Sequence, residues 1–478
     1  MAEADIGLIG LGVMGENLAL NIADHGYKVA VYNRTAAKVD AFLANAGELE
    51  PNVMGSGDLG TFVSMLKQPR SVIVMVQAGE PVDHVIAELK PLLDEGDVII
   101  DAGNANYHDT VRRFSELDGT GIGFLGIGVS GGEEGARHGP SIMVGGSEAQ
   151  WENAEAVLTA ISAKFNGEPC CAYLGTGGAG HFVKTIHNGI EYADMQMIAE
   201  IYGVMRDGLG MSPSECAKVF ADWNRGPLDS YLIEITGHVL DAVDADSGQP
   251  LVEVILDSAG QKGTGRWSAI EALNLGVSAT TIEGAVAARS ISAIRDERVR
   301  GEEIYGAGVK GNATISLEAL EKALLAGKIA AYAQGFAVMA KASEENGWNL
   351  PLDTIAKIWR AGCIIRSRFL DQISQSFAGG TSSNLLTQPA FVDMMKESNG
   401  ALRAVVATCA INELPAPCLS SALAYFDAYR QGRGTTNLTQ GQRDFFGAHG
   451  FKRLDREGDF HHEWPSLNQA EKAEASFS

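Results

Sequence analysis

Four polar side chains share one face of a strongly helical stretch that begins near residue 181. Lys184, His187, Asn188 and Glu191 stand at i, i+3, i+4 and i+7, so all four project from the same side of an α-helix. The lysine and the glutamate are two turns apart, roughly 10 Å along the helix axis. A small substrate could lie between this cation and this carboxylate, so the arrangement predicts a catalytic face.

An exposed face with ordinary ion pairs is the alternative interpretation of these four residues. Two observations favour catalysis. His and Asn are indifferent helix formers and poor choices for a merely solvated surface. The helical region also contains a weak internal repeat, because residues 208–220 match residues 347–359 at an offset of 139. At that offset the four polar positions are occupied by small residues, namely Ala323, Ala326, Gly327 and Ala330.

A glycine-rich loop follows the first β-like run, residues 6–9. Its first two glycines permit a tight turn and a close approach of a pyrophosphate to backbone N–H groups, and its third lets helix and strand pack closely. A purely structural glycine turn is the alternative. Within a βαβ unit the motif predicts a dinucleotide site formed by Gly10, Gly12, Val13, Met14 and Gly15.

The end of the second strand indicates which dinucleotide is bound. Asn33, Arg34 and Thr35 stand where an NAD site usually has an Asp or Glu that accepts from the ribose 2′-OH. A guanidinium pairs bidentately with a 2′-phosphate, and the neighbouring amide and hydroxyl can donate as well. The segment therefore predicts NADP as the cofactor, with a solvated turn arginine as the alternative.

Short β-branched runs alternate with amphipathic stretches in the first third of the chain, which is typical of βαβ units. Strands are predicted over residues 6–9, 28–32, 72–76, 98–101, 123–127, 141–144 and 170–174, with helices such as 16–23, 82–89 and 149–165 between them. From residue 181 to about 429 the apolar residues recur at helical spacing. The fold class is thus a Rossmann-like, doubly wound α/β sheet followed by a large all-helical domain with an internal repeat and a C-terminal tail.

Length and composition limit the domain number and the partners. At 478 residues about three domains are expected, which we place at 1–178, 179–430 and 431–478. The tail from residue 431 is too polar and glycine-rich to bury a face of its own, so we expect it to lie on another surface. A net charge of −23 argues against nucleic acid and anionic lipid as partners, and we expect no membrane span.

The cysteines and the N-terminus indicate a cytoplasmic protein. The six cysteines form no CxxC pair and show no zinc-ligand spacing, so we expect reduced thiols and no bound metal. The first five residues lack the basic and apolar regions of a signal peptide, so no targeting segment is expected.

Several other polar groups could hold an anionic substrate. Ser130, Gly131 and Gly132 follow a strand, and such a turn presents backbone N–H groups to an oxyanion. The run from Asp101 to Asn104 stands at the carboxyl end of a strand, where ligands bind in open α/β sheets. Further candidate ligands, each of which could equally be structural or pair with a surface charge, are Lys262, Thr264, Arg289 and Arg443.

These motifs together identify a family resemblance. The most specific of them is Ile255-Leu-Asp-Ser-Ala-Gly-Gln-Lys-Gly-Thr-Gly-Arg-Trp267, and further matches are residues 180–192, 131–136 and 442–449. Over essentially its whole length the chain resembles the decarboxylating 6-phosphogluconate dehydrogenases of the β-hydroxyacid dehydrogenase superfamily.

The resemblance implies oxidation and decarboxylation of 6-phosphogluconate to ribulose 5-phosphate and CO₂ with NADP, a step of the pentose phosphate pathway. Neutral Lys184 removes the C3 hydroxyl proton as hydride leaves C3, and then, protonated, holds the 3-oxo group while CO₂ is lost. Glu191 protonates C1 of the enediol. We expect cations such as Lys262, together with burial, to lower the pKa of Lys184.

The resemblance also implies which residues bind the ligands. The substrate is held by Asn104, Ser130, Gly131, Gly132, His187, Asn188, Tyr192, Lys262, Thr264 and Arg289. In a homodimer, Arg443 and His449 of one tail complete the partner's site. Further cofactor contacts come from Val76, Gln77, Ala78 and Asn104. Many members carry a lysine at the position of Gln77, so selectivity for NADP rests more on Arg34.

Two other functions remain open from the sequence. A non-decarboxylating β-hydroxyacid dehydrogenase acting on an unphosphorylated acid would not need Lys262, Arg289 and Arg443. An NADP-binding sensor without turnover would not need Lys184 and Glu191.

Overall fold

The computed structural model describes residues 3–308, 310–379 and 384–464. In these residues the strands are β1 (Ile6–Ile9), β2 (Val29–Tyr32), β3 (Val53–Ser56), β4 (Ser71–Val74), β5 (Val98–Asp101), β6 (Gly123–Val129), β7 (Ile142–Gly146), β8 (Lys164–Phe165), β9 (Glu168–Pro169) and β10 (Cys171–Gly175). The helices between them are α1 (Val13–Asp24), α2 (Ala36–Ala44), α3 (Leu59–Ser64), α4 (Glu80–Leu89), α5 (Tyr107–Leu117), α6 (Gly132–His138) and α7 (Glu148–Ile161).

Strands β1–β7 and β10 form one sheet in the order β10-β7-β6-β5-β4-β1-β2-β3. All neighbours are parallel except β6 and β7, which pair antiparallel. The chain order reverses between β1 and β4, and ligands bind at such a switch point, beyond the carboxyl ends of the strands. Because successive side chains alternate, Leu8 and Ile9 of β1 enter the apolar cores on opposite faces of the sheet. The predicted Rossmann-like, doubly wound sheet is confirmed.

The predicted strands and helices differ from the structure at several places, as in β6 and β7, which each end two residues later than predicted. The edge strand β3, with one β-branched residue, gave too weak a pattern to be predicted. Strand β4 ends at Val74, so residues 75 and 76 belong to the loop that follows it. The helix predicted over 149–165 ends at Ile161, and residues 164–165 instead pair with β9 in a two-stranded sheet.

After β10 the described residues contain helices and isolated β-bridges only. The helices are α8 (Ala179–Gly203), α9 (Pro213–Trp223), α10 (Tyr231–Asp241), α11 (Leu251–Val254), α12 (Thr264–Asn274), α13 (Thr280–Ala293), α14 (Arg295–Tyr305), α15 (Leu317–Asn346), α16 (Leu352–Ile358), α17 (Leu370–Phe377), α18 (Pro389–Ile411), α19 (Pro417–Tyr429) and α20 (Thr436–Gly447). The predicted all-helical region is confirmed. The long helices α8 and α15 begin 138 residues apart (317 − 179 = 138), close to the repeat offset.

Helix α15 is long and apolar enough to cross a membrane by length and composition alone, and 83% of its most apolar window is buried inside the protein. It packs against α8 and α18. It also supplies Lys328, whose ammonium group is fully buried and donates to both carboxylate oxygens of Asp194 on α8, at 2.9 and 2.7 Å. These contacts make α15 a core helix.

By its contacts the chain divides into two compact units, Met1–Leu423 and Ala424–Ser478. The first holds the sheet and the helices through α18. The second begins within α19 and contains α20, and its described residues end at Trp464. All six cysteines are free and buried.

Candidate active site

The loops that follow β1, β4 and β5 meet at the carboxyl edge of the sheet and line a cleft of about 760 Å³. The cleft brings together nine of the predicted ligand residues: Gly12, Val13, Met14, Gly15, Val76, Gln77, Ala78, Asn104 and Lys262. Asn106, which precedes α5, Asp109 of α5 and Trp267 of α12 complete it. The predicted cofactor loop and one predicted substrate cation therefore share a single cleft.

The glycine loop has the geometry that a dinucleotide requires. A Cβ on Gly10 would be 2.3 Å from the carbonyl oxygen of Met75, and one on Gly15 would be 1.9 Å from that of Gly10. At Gly12, by contrast, a Cβ would meet no atom within 4 Å, so its backbone is open to the cleft. Val13, the first residue of α1, is 59% exposed. These residues fit a pyrophosphate at the N-terminus of α1.

The end of β2 is tied to this loop. Asn33 Oδ1 accepts from the Leu11 N–H at 3.1 Å, and its Nδ2 donates to the Thr35 carbonyl. Arg34 is exposed and has no hydrogen bond or ion pair to another described residue, so its guanidinium is available to a ligand. Lys38, one turn beyond Thr35, donates from Nζ to the Leu11 carbonyl at 3.1 Å. This second cation was not predicted from the sequence, although its spacing from Thr35 on a helix could have indicated it.

Glycines let the helix α8 lie close to the sheet. A Cβ on Gly180 would be 2.4 Å from the Gly126 carbonyl oxygen, and one on Gly128 would be 2.4 Å from Cβ of Lys184. The predicted catalytic face is consequently buried: Lys184 is 6% exposed and His187 is fully buried. This burial excludes the alternative of a solvated face with ordinary ion pairs.

A chain of hydrogen bonds runs from Lys184 along this face. Lys184 Nζ donates to Ser130 Oγ at 2.9 Å, and Ser130 Oγ lies 3.3 Å from His187 Nε2. His187 Nδ1 lies 3.0 Å from Asn188 Oδ1. A neutral His187 with its proton on Nδ1 satisfies both contacts. Four of the predicted residues are therefore brought into one network.

Burial shifts both predicted catalytic groups away from their charged forms. Loss of solvent lowers the pKa of Lys184, against the opposing effects of Glu191 and of Cys363. Loss of solvent raises the pKa of Glu191, against the effects of Lys184 and Arg289. Burial also holds the pKa of His187 well below its ordinary value. A base and an acid matched to neutral pH need shifts of these directions.

Lys262 does not contribute to the lowered pKa of Lys184, contrary to our expectation. Burial is the cause of the lowering, and the two groups that act on Lys184 electrostatically, Glu191 and Cys363, both oppose it. Lys262 is instead exposed in the loop before α12, where it lines the cleft.

Tyr192, Thr264 and Arg289 meet where α8, α12 and α13 converge. The Arg289 guanidinium stacks on the Tyr192 ring, with Cζ 3.4 Å from its centroid, and donates to the Gly260 carbonyl at 3.2 Å. A Cβ on Gly265 would be 2.4 Å from the same ring, so glycine is needed there. Thr264 is buried at the start of α12. Among the described residues Arg289 has no carboxylate partner within ion-pair distance, which argues against a simple surface ion pair.

The predicted Ser130-Gly131-Gly132 turn packs against the segment after α16. Gly131 has φ +105°, and a Cβ there would be 2.6 Å from the Gly362 carbonyl oxygen. Gly132, with φ +63°, has no atom within 4 Å of a Cβ position. The turn thus needs glycine twice, once for a close backbone contact and once for conformation.

Asp101 does not face the ligand edge as we expected. It is fully buried, and its Oδ2 accepts from Arg113 NH1 at 3.3 Å while Oδ1 accepts from the Gly103 N–H. Arg113 also donates to Asp83 and to the Gly79 carbonyl. This buried arginine, which the sequence analysis missed, joins the two loops that line the cleft after β4 and β5.

A second missed residue, Glu271 of α12, connects the two structural regions of the first unit. Its carboxylate accepts from the Tyr107 hydroxyl at 2.9 Å and lies 2.9 Å from His108 Nε2, both on α5. Helix α12 begins just after Lys262, and α5 begins just after Asn104. The contact therefore fixes the distance between two walls of the cleft.

Arg443 and His449 belong to the second unit. Arg443 is exposed and donates to Gln440 Oε1 at 3.3 Å, within α20. His449 follows Ala448, which has φ +50°, and its ring packs edge-on to Phe446. These two predicted ligands lie close to one another in sequence, on a helix end and on the turn that follows it.

The fold and the cleft define the class of proteins that bind a dinucleotide at a Rossmann-like sheet joined to a helical domain. A family model for the NAD binding domain of 6-phosphogluconate dehydrogenase matches residues 5–175, and a model for the C-terminal domain of 6-phosphogluconate dehydrogenase matches residues 180–464. The chain belongs to the 6-phosphogluconate dehydrogenase family.

Individual relatives cover the whole chain. An NADP⁺-dependent decarboxylating 6-phosphogluconate dehydrogenase of Bacillus subtilis is 49% identical, covering 97% of this chain and all of the relative. An NAD⁺-dependent decarboxylating enzyme of the same organism is 48% identical, covering 96% of this chain and 99% of the relative. The solved 6-phosphogluconate dehydrogenase of Plasmodium falciparum, studied in its apo form, with NADP⁺ and with 6-phosphogluconate, is 39% identical. It aligns with a TM-score of 0.92 over 96% of this chain and all of that chain.

Proposed function

We propose that this protein oxidises and decarboxylates 6-phosphogluconate to ribulose 5-phosphate and CO₂, with NADP as the hydride acceptor. Full-length relatedness to decarboxylating 6-phosphogluconate dehydrogenases supports the reaction. The observation that carries the assignment to this site is the buried lysine, Lys184, two helical turns from the half-buried carboxyl group of Glu191. Their pKa values move in opposite directions, as a base and an acid that work at one pH require.

In the proposed reaction Lys184 acts first. Neutral Lys184 takes the proton of the C3 hydroxyl, and its hydrogen bond to Ser130 orients Nζ. NADP, when bound, accepts the hydride that leaves C3. Protonated Lys184 then donates to the 3-oxo group, which accepts the electrons released as the C1–C2 bond breaks and CO₂ departs. Glu191 then protonates the former C2 of the substrate, the carbon that becomes C1 of ribulose 5-phosphate.

The cofactor would be held by the glycine loop and by the end of β2. Gly10, Gly12, Val13, Met14 and Gly15 would bind the pyrophosphate, and Val76, Gln77, Ala78 and Asn104 would line the rest of the cleft. Asn33, Arg34 and Thr35 would bind the 2′-phosphate, with Lys38 as a further cation. The choice of NADP over NAD rests on these cations, since relatives of both specificities are similarly close to this chain.

The substrate would lie between α8 and the loop before α12. Asn188, Tyr192, Thr264 and Arg289 surround its proposed position together with Ser130, Gly131, Gly132, His187, Asn104 and Lys262. Arg289 donates to the Gly260 carbonyl, two residues before Lys262, and two cations so close in a protein of net charge −23 favour an anionic substrate. A phosphorylated acid makes use of all three of Lys262, Arg289 and Arg443, which an unphosphorylated acid would not.

We further propose a homodimer in which Arg443 and His449 of the partner subunit complete each site. Large apolar side chains are exposed on α13 and α14 and in the segment before Lys262, among them Ile255, Leu256, Ile291, Ile304 and Tyr305. Large exposed apolar side chains in such number favour an interface between subunits. The proposed domains are residues 1–178, 179–430 and 431–478. We also propose a cytoplasmic location, with which six free thiols agree.

The function is tested by NADPH formation at 340 nm together with measured CO₂ release from 6-phosphogluconate. Wild type should give both in equal amounts, and Lys184→Met should give neither while still binding NADP. NADPH without CO₂, or equal activity on an unphosphorylated β-hydroxyacid, would indicate the non-decarboxylating alternative. NADP binding without any turnover would indicate a sensor.

A further inference from the structure

Four donors converge on one carboxylate in the second unit. Asp444 Oδ1 accepts from the Gly450 N–H at 2.9 Å and from His461 Nδ1 at 2.8 Å. Its Oδ2 accepts from the His462 N–H at 3.1 Å and from Trp464 Nε1 at 2.8 Å. Asp444 is fully buried, and it is the one buried side chain between residues 431 and 464, all of which the structure describes.

These hydrogen bonds replace the apolar core that this segment lacks. The segment is polar, and every other side chain in it is exposed or half-buried. Although desolvation opposes ionisation, the donors from His461, His462, Trp464 and Gly450 hold the pKa of Asp444 well below its ordinary range. Asp444 is therefore an anion at neutral pH, and charge-assisted hydrogen bonds of this kind are the strong ones.

Asp444 connects the part of α20 that carries Arg443 to the turn that carries His449. Asp444 follows Arg443 on the last turns of α20, and its Oδ1 binds the N–H of Gly450, the residue directly after His449. The other side of the turn is fixed by the Ala448 N–H, which donates to the Asp444 carbonyl at 2.9 Å. Gln440 Nε2 donates to the Gly450 carbonyl as well. The backbone on both sides of His449 is thus bound to α20.

We propose that Asp444 is a positioning residue that fixes Arg443 and His449 relative to each other, so that both reach one anionic substrate. The proposal rests on the function proposed above for these two residues. Asp444 itself touches no substrate. It acts by joining the end of α20, the turn that carries His449 and the segment 461–464 into one rigid unit.

The test compares full-length Asp444→Asn with Arg443→Ala and with the double variant. Asparagine has the same shape as aspartate, but an NH₂ group replaces one of the two acceptor oxygens. In the place of Oδ2, this donor would face the donors of His462 and Trp464. We expect the KM for 6-phosphogluconate to rise about tenfold or more, with kcat and the KM for NADP within about twofold. Arg443 would already be misplaced in Asp444→Asn. Adding Arg443→Ala to that variant should therefore raise the substrate KM by a much smaller factor than Arg443→Ala does in the wild-type protein.

Asp455→Asn is the matched control, because Asp455 is an exposed carboxylate of the same unit that pairs only with Arg453 among the described residues. Asp455→Asn should leave kcat and the KM values for 6-phosphogluconate and NADP unchanged. His461→Phe removes one of the four donors and should raise the substrate KM less than Asp444→Asn does. It keeps the proposal testable if Asp444→Asn does not fold.

The outcomes separate the two proposals. If Arg443→Ala raises the substrate KM but Asp444→Asn and His461→Phe do not, Asp444 is not a positioning residue, and the proposed function stands. If Arg443→Ala has no effect, the substrate role of the tail is wrong, and the role of Asp444 is overturned with it. If the KM increases of Asp444→Asn and Arg443→Ala multiply in the double variant, the two residues act independently. That result would also overturn the positioning role of Asp444.

Discussion

The side chain of Lys184 lies directly over Gly128 of β6. A Cβ atom on residue 128 would be 2.4 Å from Cβ of Lys184 and 2.9 Å from its Cγ, closer than carbon atoms can approach without displacement. The glycine therefore sets the height of the lysine above the sheet, and with it the position of Nζ beside Ser130.

Replacing Gly128 by alanine should accordingly impair chemistry more than folding. We expect an overpacking cost of about 1–3 kcal/mol in stability. A displacement of Lys184 by about 1 Å should lower kcat about a hundredfold. Gly123→Ala is the matched control in the same strand, since its new Cβ would meet the flexible side chain of Gln150. Urea unfolding and steady-state kinetics of both variants make the comparison, and equal kcat values would contradict it.

The pH dependence of NADPH formation should report the neutral form of Lys184. Burial lowers the pKa of Lys184, and Glu191 raises it again through its charge. Removing that charge in Glu191→Gln should therefore lower the pKa of Lys184 further and move the acid limb of the first-turnover rate of NADPH formation to lower pH. Stopped-flow absorbance over a pH series measures this limb. A shift to higher pH would show that another group is the base.

Cofactor preference should depend on the end of β2. Arg34→Glu replaces a cation for the 2′-phosphate by a repulsive carboxylate that can accept from a 2′-OH. We expect a loss of about 2 kcal/mol, roughly thirtyfold in kcat/KM for NADP, and a gain for NAD. Arg225→Glu, at an exposed position after α9, makes the same change in net charge and should leave the ratio unchanged. If the ratio of kcat/KM for NADP to kcat/KM for NAD in Arg34→Glu stays within about twofold of the wild-type ratio, Arg34 is only a solvated turn residue.

Exchange of tails between subunits should be visible as complementation. Lys184→Met chains should be inactive, and Arg443→Ala chains should have little activity at a 6-phosphogluconate concentration far below their raised KM, because each lacks one part of every site. In a mixed dimer one site takes α8 from the second chain and the tail from the first, and is wholly wild type. Random pairing on co-refolding should restore about a quarter of wild-type activity, since half of the dimers are mixed and each has one intact site. No recovery, with mixed dimers demonstrated by affinity tags, would mean that Arg443 serves its own chain.

Local patterns in the sequence were enough to predict much of this site. The spacing of Lys184, His187, Asn188 and Glu191 needs only a regular helix, and the glycine loop needs only one strand and one helix. By contrast, Arg113 bonds to Asp83, 30 residues before it, and the partners of Glu271 lie more than 160 residues away on α5. Such pairings depend on how separate elements pack, which no local periodicity encodes. For the same reason the sequence correctly predicted an effect of burial on the pKa of Lys184 but wrongly added an effect of Lys262.

The apolar helix α15 also constrains how the chain can fold as it is synthesised. One of its two main packing partners, α8, precedes it, but the other, α18, ends 65 residues after α15 does (411 − 346 = 65). Until the ribosome has released that stretch, α15 presents an uncovered surface of the kind that chaperones bind and that drives aggregation. Chains terminated before residue 411 should therefore be degraded or aggregate, even though their complete nucleotide-binding sheet has already been made.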